Sequence, residues 1–273
     1  MPPLSYLFID GGNLNAILRS VGQRYFRGAV PTVNWANVRS GHQKVYYYDA
    51  VPVQSAGEED GAYAERIRPK LEELKSIERQ PSFHVRSGDA IHRKRRGNEQ
   101  KMVDVQLAVD ALRMAHLGLF SHLTLLTSDL DFKPLVDALV DMGVQVTVLY
   151  PRGETNEALT LAADFAEELS VERLRPWLEP QFNLPTVNHF VGNEMPRKSV
   201  GHLAWDANGD DFLLVNEGGA FALHFTHRDR GTYGRVIASS ATGALHYAQE
   251  ELLVHVPSAV FEQAAKADIR LDT

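Results

Sequence analysis

The 273-residue sequence contains no cysteine. That excludes disulfides, cysteine-ligated zinc and thiol nucleophiles, and it leaves eleven histidines as the only nitrogen side-chain ligands for a metal. Long apolar runs are also missing. No stretch approaches the roughly 18 apolar residues of a membrane span, and "MPPLSYLFID" has neither the charged start nor the apolar core of a signal peptide. A soluble, cytoplasmic chain without membrane association is the expectation. Positive charge is in deficit, with a formal net charge of -7, so any attraction to nucleic acid must come from a local basic patch. One such patch is present in "HRKRRGNEQK", His92 to Lys101.

The chain is long enough for one large domain or two ordinary ones, and its 44% hydrophobic content suits a globular core. Over the first 150 residues short apolar runs alternate with longer amphipathic segments, the pattern of helices covering a mostly parallel sheet. Five strands are expected, at 5–10, 44–51, 82–89, 123–129 and 145–150. Helices are expected at 13–21, 60–79, 103–116, 132–142 and 156–169. In "VYYYDA" the alternation puts Tyr47 opposite Tyr46 and Tyr48, an arrangement that favours core packing over base stacking. Pro176, Pro180 and Pro185 then interrupt regular structure. We therefore expect an α/β domain over 1–175, a proline-containing linker over 176–190 and a β-rich accessory module over 191–273. In that module, strand-like runs separated by Asn-Gly and Gly-Gly turns read as antiparallel hairpins.

Ligands of open α/β sheets gather at the carboxyl ends of the strands, where loops and helix starts share a crevice. The first strand delivers Asp10 to that edge, followed by "GGN", and the fourth delivers Ser128 and Asp129, with Asp131 two residues on. Asp104 falls in the first turn of the third helix. Several carboxylates this close would not all stay ionised without a cation, and hard oxygen donors select Mg²⁺ or Mn²⁺ over zinc. An ion held there can activate water and stabilise charge on a phosphodiester under in-line attack. Each acid also has a structural reading: Asp131 is placed as an N-cap, Asp104 complements a helix dipole, and Asn13 can cap the first helix. Asp10 and Asp129, read as lying at buried strand ends, favour function. Asp110 reads as a supporting hydrogen-bonder.

The segments "YLFIDGGNL", "KMVDVQLAVDAL", "LLTSDLDFKPLVDALVDMGVQVTVLY" and "LAADFAEEL" resemble, in this order and spacing, the NYN domain family of PIN-like ribonucleases, over about residues 4–174. The resemblance implies a PIN-like three-layer sandwich with a parallel sheet, and a metal-dependent endoribonuclease site. On that analogy Asp10, Asp104, Asp129 and Asp131 are the catalytic and metal-binding acids, and Asn13 and Ser128 are polar positions holding the cluster. Lys101 matches a lysine preceding the helical acid, and Asp164 matches an acid with a structural role near the last helix.

Arg93, Lys94, Arg95 and Arg96 lie just upstream of Asp104, where they could bind phosphates flanking the scissile bond. RNA, single-stranded or structured, is the expected partner, with Mg²⁺ or Mn²⁺ as cofactor. A catalytically silent RNA-binding regulator and another phosphoryl-transfer enzyme, such as a nucleotidyltransferase, are the alternatives. The β-rich module lies outside the resemblance. An RNA-binding surface, self-association into a homo-oligomer and partner docking all stay open for it.

Overall fold

The computed structural model describes residues 4–87, 99–153, 155–191, 203–207, 209–227 and 232–271, and all counts refer to these. They fall into two compact units: residues 1–17 with 34–170, and residues 18–33 with 171–273.

The first unit is built on six parallel strands: β1 (Ser5–Asp10), β2 (Lys44–Asp49), β3 (Phe83–Ser87), β4 (His122–Leu126), β5 (Gln145–Tyr150) and β6 (Phe165–Glu168). Their spatial order is β3-β2-β1-β4-β5-β6. The connecting helices are α1 (Gly11–Tyr25), α2 (Trp35–Val38), α3 (Asp60–Glu78), α4 (Glu99–His116), α5 (Lys133–Asp141) and α6 (Glu157–Thr160). Strands covered on both faces must be apolar throughout, and Tyr6 to Ile9 of β1 are all buried. On one face Tyr6, Phe8, Tyr46, Tyr48, Leu125 and Val148 pack against Val103, Leu107 and Ala111 of α4 and Leu135, Val136 and Leu139 of α5. Tyr47 alternates to the other face, where the Trp35 ring meets it edge-on at 5.3 Å. The three tyrosines are thus core residues, and the unit is a three-layer α/β sandwich.

The chain steps from β1 outward to β2 and β3, then returns to place β4 on the opposite side of β1. That reversal opens a crevice at the carboxyl ends of β1 and β4. The register pairs Ile9 with Leu126, so Asp10 and Thr127 emerge side by side.

Two expectations are corrected. The helix expected over 156–169 stops at Thr160, and Phe165–Glu168 forms a sixth strand beside β5. Asp164 explains the turn: its carboxylate accepts the Val146 N–H at 2.8 Å and fastens the chain to the sheet edge, so pairing overrides local helical propensity. This is a structural role for Asp164. The second correction concerns β4, which ends at Leu126 and leaves Asp129 exposed in the following loop.

The second unit holds α7 (Val171–Leu174) and an antiparallel sheet of β7 (Thr186–Val191), β8 (Leu203–Ala207), β9 (Asp210–Glu217), β10 (Ala220–His227) and β11 (Thr232–Ala238). The order is β7-β11-β10-β9-β8. Gly218 and Gly219, both at positive φ, make the tight β9–β10 turn. A stacked aromatic row runs Trp205, Phe212, Phe225, and the last ring lies over Gly234, where any side chain would collide with it. The unit also contains two helices that hairpin patterning did not anticipate, α8 (Ala241–Glu250) and α9 (Ser258–Leu271). Ser240 caps α8 by accepting the Gly243 N–H, and buried Asp268 of α9 accepts from the Ala241 and Thr242 amides and the Thr242 hydroxyl. A carboxylate at a helix N-terminus satisfies otherwise orphaned donors, which locks the two helices together. Of the residues expected as linker, 186–190 belong to β7. Among the described residues no helix is long and apolar enough to cross a membrane.

Candidate acidic site at the carboxyl edge of the parallel sheet

Asp10 ends β1 half-buried, and each of its oxygens takes one hydrogen bond. The Asn13 N–H donates to Oδ1 at 3.1 Å and the Thr127 hydroxyl to Oδ2 at 3.0 Å. Burial pushes the Asp10 carboxyl up from its ordinary value, these two donors pull it down, and the charges of Asp129 and Asp49 push it up again. The adjoining α1 starts at Gly11, two residues earlier than expected, so Asn13 is a first-turn residue rather than a cap. Its Nδ2 donates to Ser128 Oγ across the crevice at 2.5 Å, tying the helix to the loop after β4. Its Oδ1 is buried without a hydrogen-bond partner among the described residues.

The loop after β4 contradicts one expectation in detail. Asp129, not Asp131, caps the short 3-10 turn Leu130–Phe132: its Oδ1 accepts the Asp131 N–H at 2.9 Å. Asp131 therefore lies inside that turn, exposed to solvent, with its carboxylate free of the cap role. Thr127 contributes on both sides, donating to Asp10 and accepting the Asp129 N–H at 3.1 Å.

Asp104 stands half-buried on α4 and faces the same charges. Burial comes first, and repulsion from Asp10, Asp129 and Asp131 adds to it, so the carboxyl is pushed up to about 6. Asp104 thus feels acids from two other chain segments, Asp10 on β1 and Asp129 and Asp131 in the loop after β4. Lys101 lies in α4, but its side chain is outside the described residues, as are Arg93, Lys94, Arg95 and Arg96 altogether. Asp110, deeper on α4, accepts from Tyr48 at 3.3 Å and pairs with Arg86 and Arg113 at 3.4 Å each.

Sequence reasoning passed over Asp49, the last residue of β2. It is buried at 8% exposure next to Asp10, and Lys70 of α3 reaches it at 2.6 Å. The signal was available in "VYYYDA", where a carboxylate closes a strand whose preceding residues are all core. It went unread because its partner, Lys70, is 21 positions away, on the helix expected over 60–79.

The donor set consists of hard oxygens: four carboxylates, three of which act on Asp104, and a buried amide oxygen left over at Asn13. This chemistry fits Mg²⁺ or Mn²⁺, ions that commonly keep several waters and take only one or two carboxylates directly. Among the described residues no three histidine or acidic side chains close to metal-coordinating spacing, so an ion here would be held partly through water.

The acids thus stand at the switch point of a parallel three-layer α/β sandwich. The NYN domain model matches residues 6–170, and the chain belongs to that family. NYN domains fall in the PIN-like nuclease superfamily and generally use divalent metals. No curated protein matches the chain. Among solved structures, a protein of unknown function from Vibrio parahaemolyticus is similar, with a TM-score of 0.46 and 17% identity, over 65% of this chain and 96% of that one.

Proposed function

We propose that this protein is a divalent-metal-dependent endoribonuclease that hydrolyses RNA phosphodiester bonds in the cytoplasm. The observation that carries the reading is that Asp104 is pushed up to about 6, first by burial and then by the charges of Asp10, Asp129 and Asp131 around the β1/β4 switch point. Such repulsion is retained where it serves a ligand. The four acids would hold Mg²⁺ or Mn²⁺, which when bound supplies an activated water and charge neutralisation at phosphorus. Asn13 joins the β1 and β4 sides of the site through Ser128, and Thr127 orients Asp10 and the Asp129 loop together. Lys101 and the basic run Arg93, Lys94, Arg95 and Arg96 would hold the RNA phosphates.

The test is cleavage of single-stranded and structured RNA with Mn²⁺, with and without chelator, using wild type and Asp129→Asn. The amide keeps the oxygen that accepts the Asp131 N–H, so the turn survives while the charge is lost. Cleavage by wild type, its loss on chelation and its abolition in the variant are expected. Sequencing the product ends then identifies the substrate and tests for 5′-phosphates. Full activity of Asp129→Asn would sink the assignment, and RNA binding without cleavage would leave a catalytically silent regulator.

A further inference from the structure

We infer that Asp49 is a positioning residue rather than one of the ion-holding acids, and that Lys70 is the fixed cation that makes this role possible. The inference rests on the nuclease reading above and concerns how the same site is held. A carboxylate has about four lone-pair directions for donors. At Asp49 four donors gather, three of them on Oδ2, which is saturated, and one on Oδ1. Oδ1 accepts the Ala50 N–H at 2.8 Å, while Oδ2 accepts from the Tyr47 hydroxyl at 2.9 Å, from Asn15 Nδ2 at 3.0 Å and from Lys70 Nζ at 2.6 Å. Asp10, one strand away, accepts one hydrogen bond per oxygen and keeps directions open. Two acids at neighbouring strand ends have therefore been given opposite tasks by their donors.

What Asp49 positions is the first turn of α1. Asn15 hangs from its Oδ2, and at Gly11 the missing side chain lets β2 approach so closely that a Cβ would stand 2.8 Å from Asp49 Cβ and Cγ and 2.7 Å from the Tyr48 carbonyl oxygen. Asn13 lies between these two fastenings. It is the residue whose N–H holds Asp10 and whose amide reaches Ser128, so a slack first turn would misplace both. Lys70, itself shared with Glu73 at 2.8 Å, offsets part of the charge of the buried carboxylate, so the push of Asp49 on Asp10 comes last among the causes that act there.

The test compares Lys70→Met, Asp49→Asn, the double variant and Asn15→Ala with wild type. Hydrogen exchange reads the positioning without reference to activity: residues 13–17 should exchange roughly tenfold faster in Lys70→Met and Asn15→Ala, with the β5 amides unchanged. Unaltered exchange would overturn the inference. Calorimetric titration with Mn²⁺ reads the ion: Asp49→Asn should stay within about twofold of wild-type affinity, whereas a loss of about tenfold or of one bound ion would make Asp49 a ligand. In cleavage, Lys70→Met should lower kcat about tenfold with KM little changed, and the double variant, free of the uncompensated charge, should recover most of that loss. A double variant no better than Lys70→Met counts against the role given to Lys70. If wild type neither binds Mn²⁺ nor cuts RNA, the nuclease reading fails and the exchange measurement alone decides the positioning.

Discussion

The two ends of the parallel sheet are built to opposite specifications. At the amino end three polar clusters are paired, although His84 Nε2 on β3 is buried without a hydrogen-bond partner among the described residues. The Ser5 N–H donates to Gln43 at 2.6 Å, His122 Nε2 meets the Thr147 hydroxyl at 2.9 Å with Ser5 Oγ at its Nδ1, and His42 spans Thr124 at 3.0 Å and the Ser40 carbonyl at 3.2 Å. At the carboxyl end Asp104 is raised by burial and by the charges of Asp10, Asp129 and Asp131, and the Asn13 amide oxygen is buried without a partner among the described residues. Paired polar groups of this kind specify register and cause no conflict. Unpaired like charges destabilise the fold until something binds, which is why the carboxyl end is read as the working end.

The largest effect should come from relieving that repulsion. Asp104→Asn is expected to reduce RNA cleavage at least about 100-fold, the scale of losing a main charge-stabilising group, while raising the metal-free melting temperature. A variant that loses activity and stability together would break the contrast. Divalent ion should do to wild type what the substitution does to the apo fold: at 100 times its Kd, Mn²⁺ should add about 2.7 kcal/mol, read as a melting shift that chelator reverses. Asp104→Asn should show much less of it.

The pH dependence of stability separates the two ends by sign. With Asp104 raised from 3.8 to about 6, the folded state binds more protons than the unfolded one across that window. Stability from this group is therefore full below 3.8 and falls as pH rises towards 6. His42 and His122 are lowered from 6.5 by burial, so the unfolded state binds more protons just below 6.5 and stability rises with pH there. Denaturant melts of metal-free protein should show both limbs, Asp104→Asn should weaken the falling one, to which raised Asp10 also contributes, and Mn²⁺ should flatten it. Gly11→Ala comes next, because its Cβ meets backbone and Asp49 at 2.7–2.8 Å: a loss of about 1–3 kcal/mol is expected by chemical denaturation. Least affected should be Lys133→Ala, which removes a solvent-exposed i,i+4 pair with Asp137 and should change stability by no more than about 0.5 kcal/mol.

How far the site was legible depends on whether its partners are close in sequence. "YLFID" reveals a strand that ends in an acid and "LTLLTSD" a strand with an acid in the loop just after it, because a run of core residues followed by a carboxylate has few other readings. The β6 strand was not legible, because "LAADFAEEL" has helical composition and becomes a strand only through the Asp164 bond to β5. Nor was the exchange of roles between Asp129 and Asp131, since either spacing caps a turn and only the loop geometry after Leu126 selects Asp129.

By itself, the sequence determined the α/β class, the order of the acid-bearing segments and the change of character after the prolines, all properties of local pattern and periodicity. Tertiary structure decided which acids repel and which are satisfied. Asp10 and Asp49 are the same side chain at the ends of adjacent strands. Asp49 gathers four donors, one of them from Lys70 on a helix that starts 11 residues later, while Asp10 takes two and keeps its remaining lone pairs. A carboxylate's chemistry is set by the donors and charges within a few ångströms, and only the folded chain brings those together.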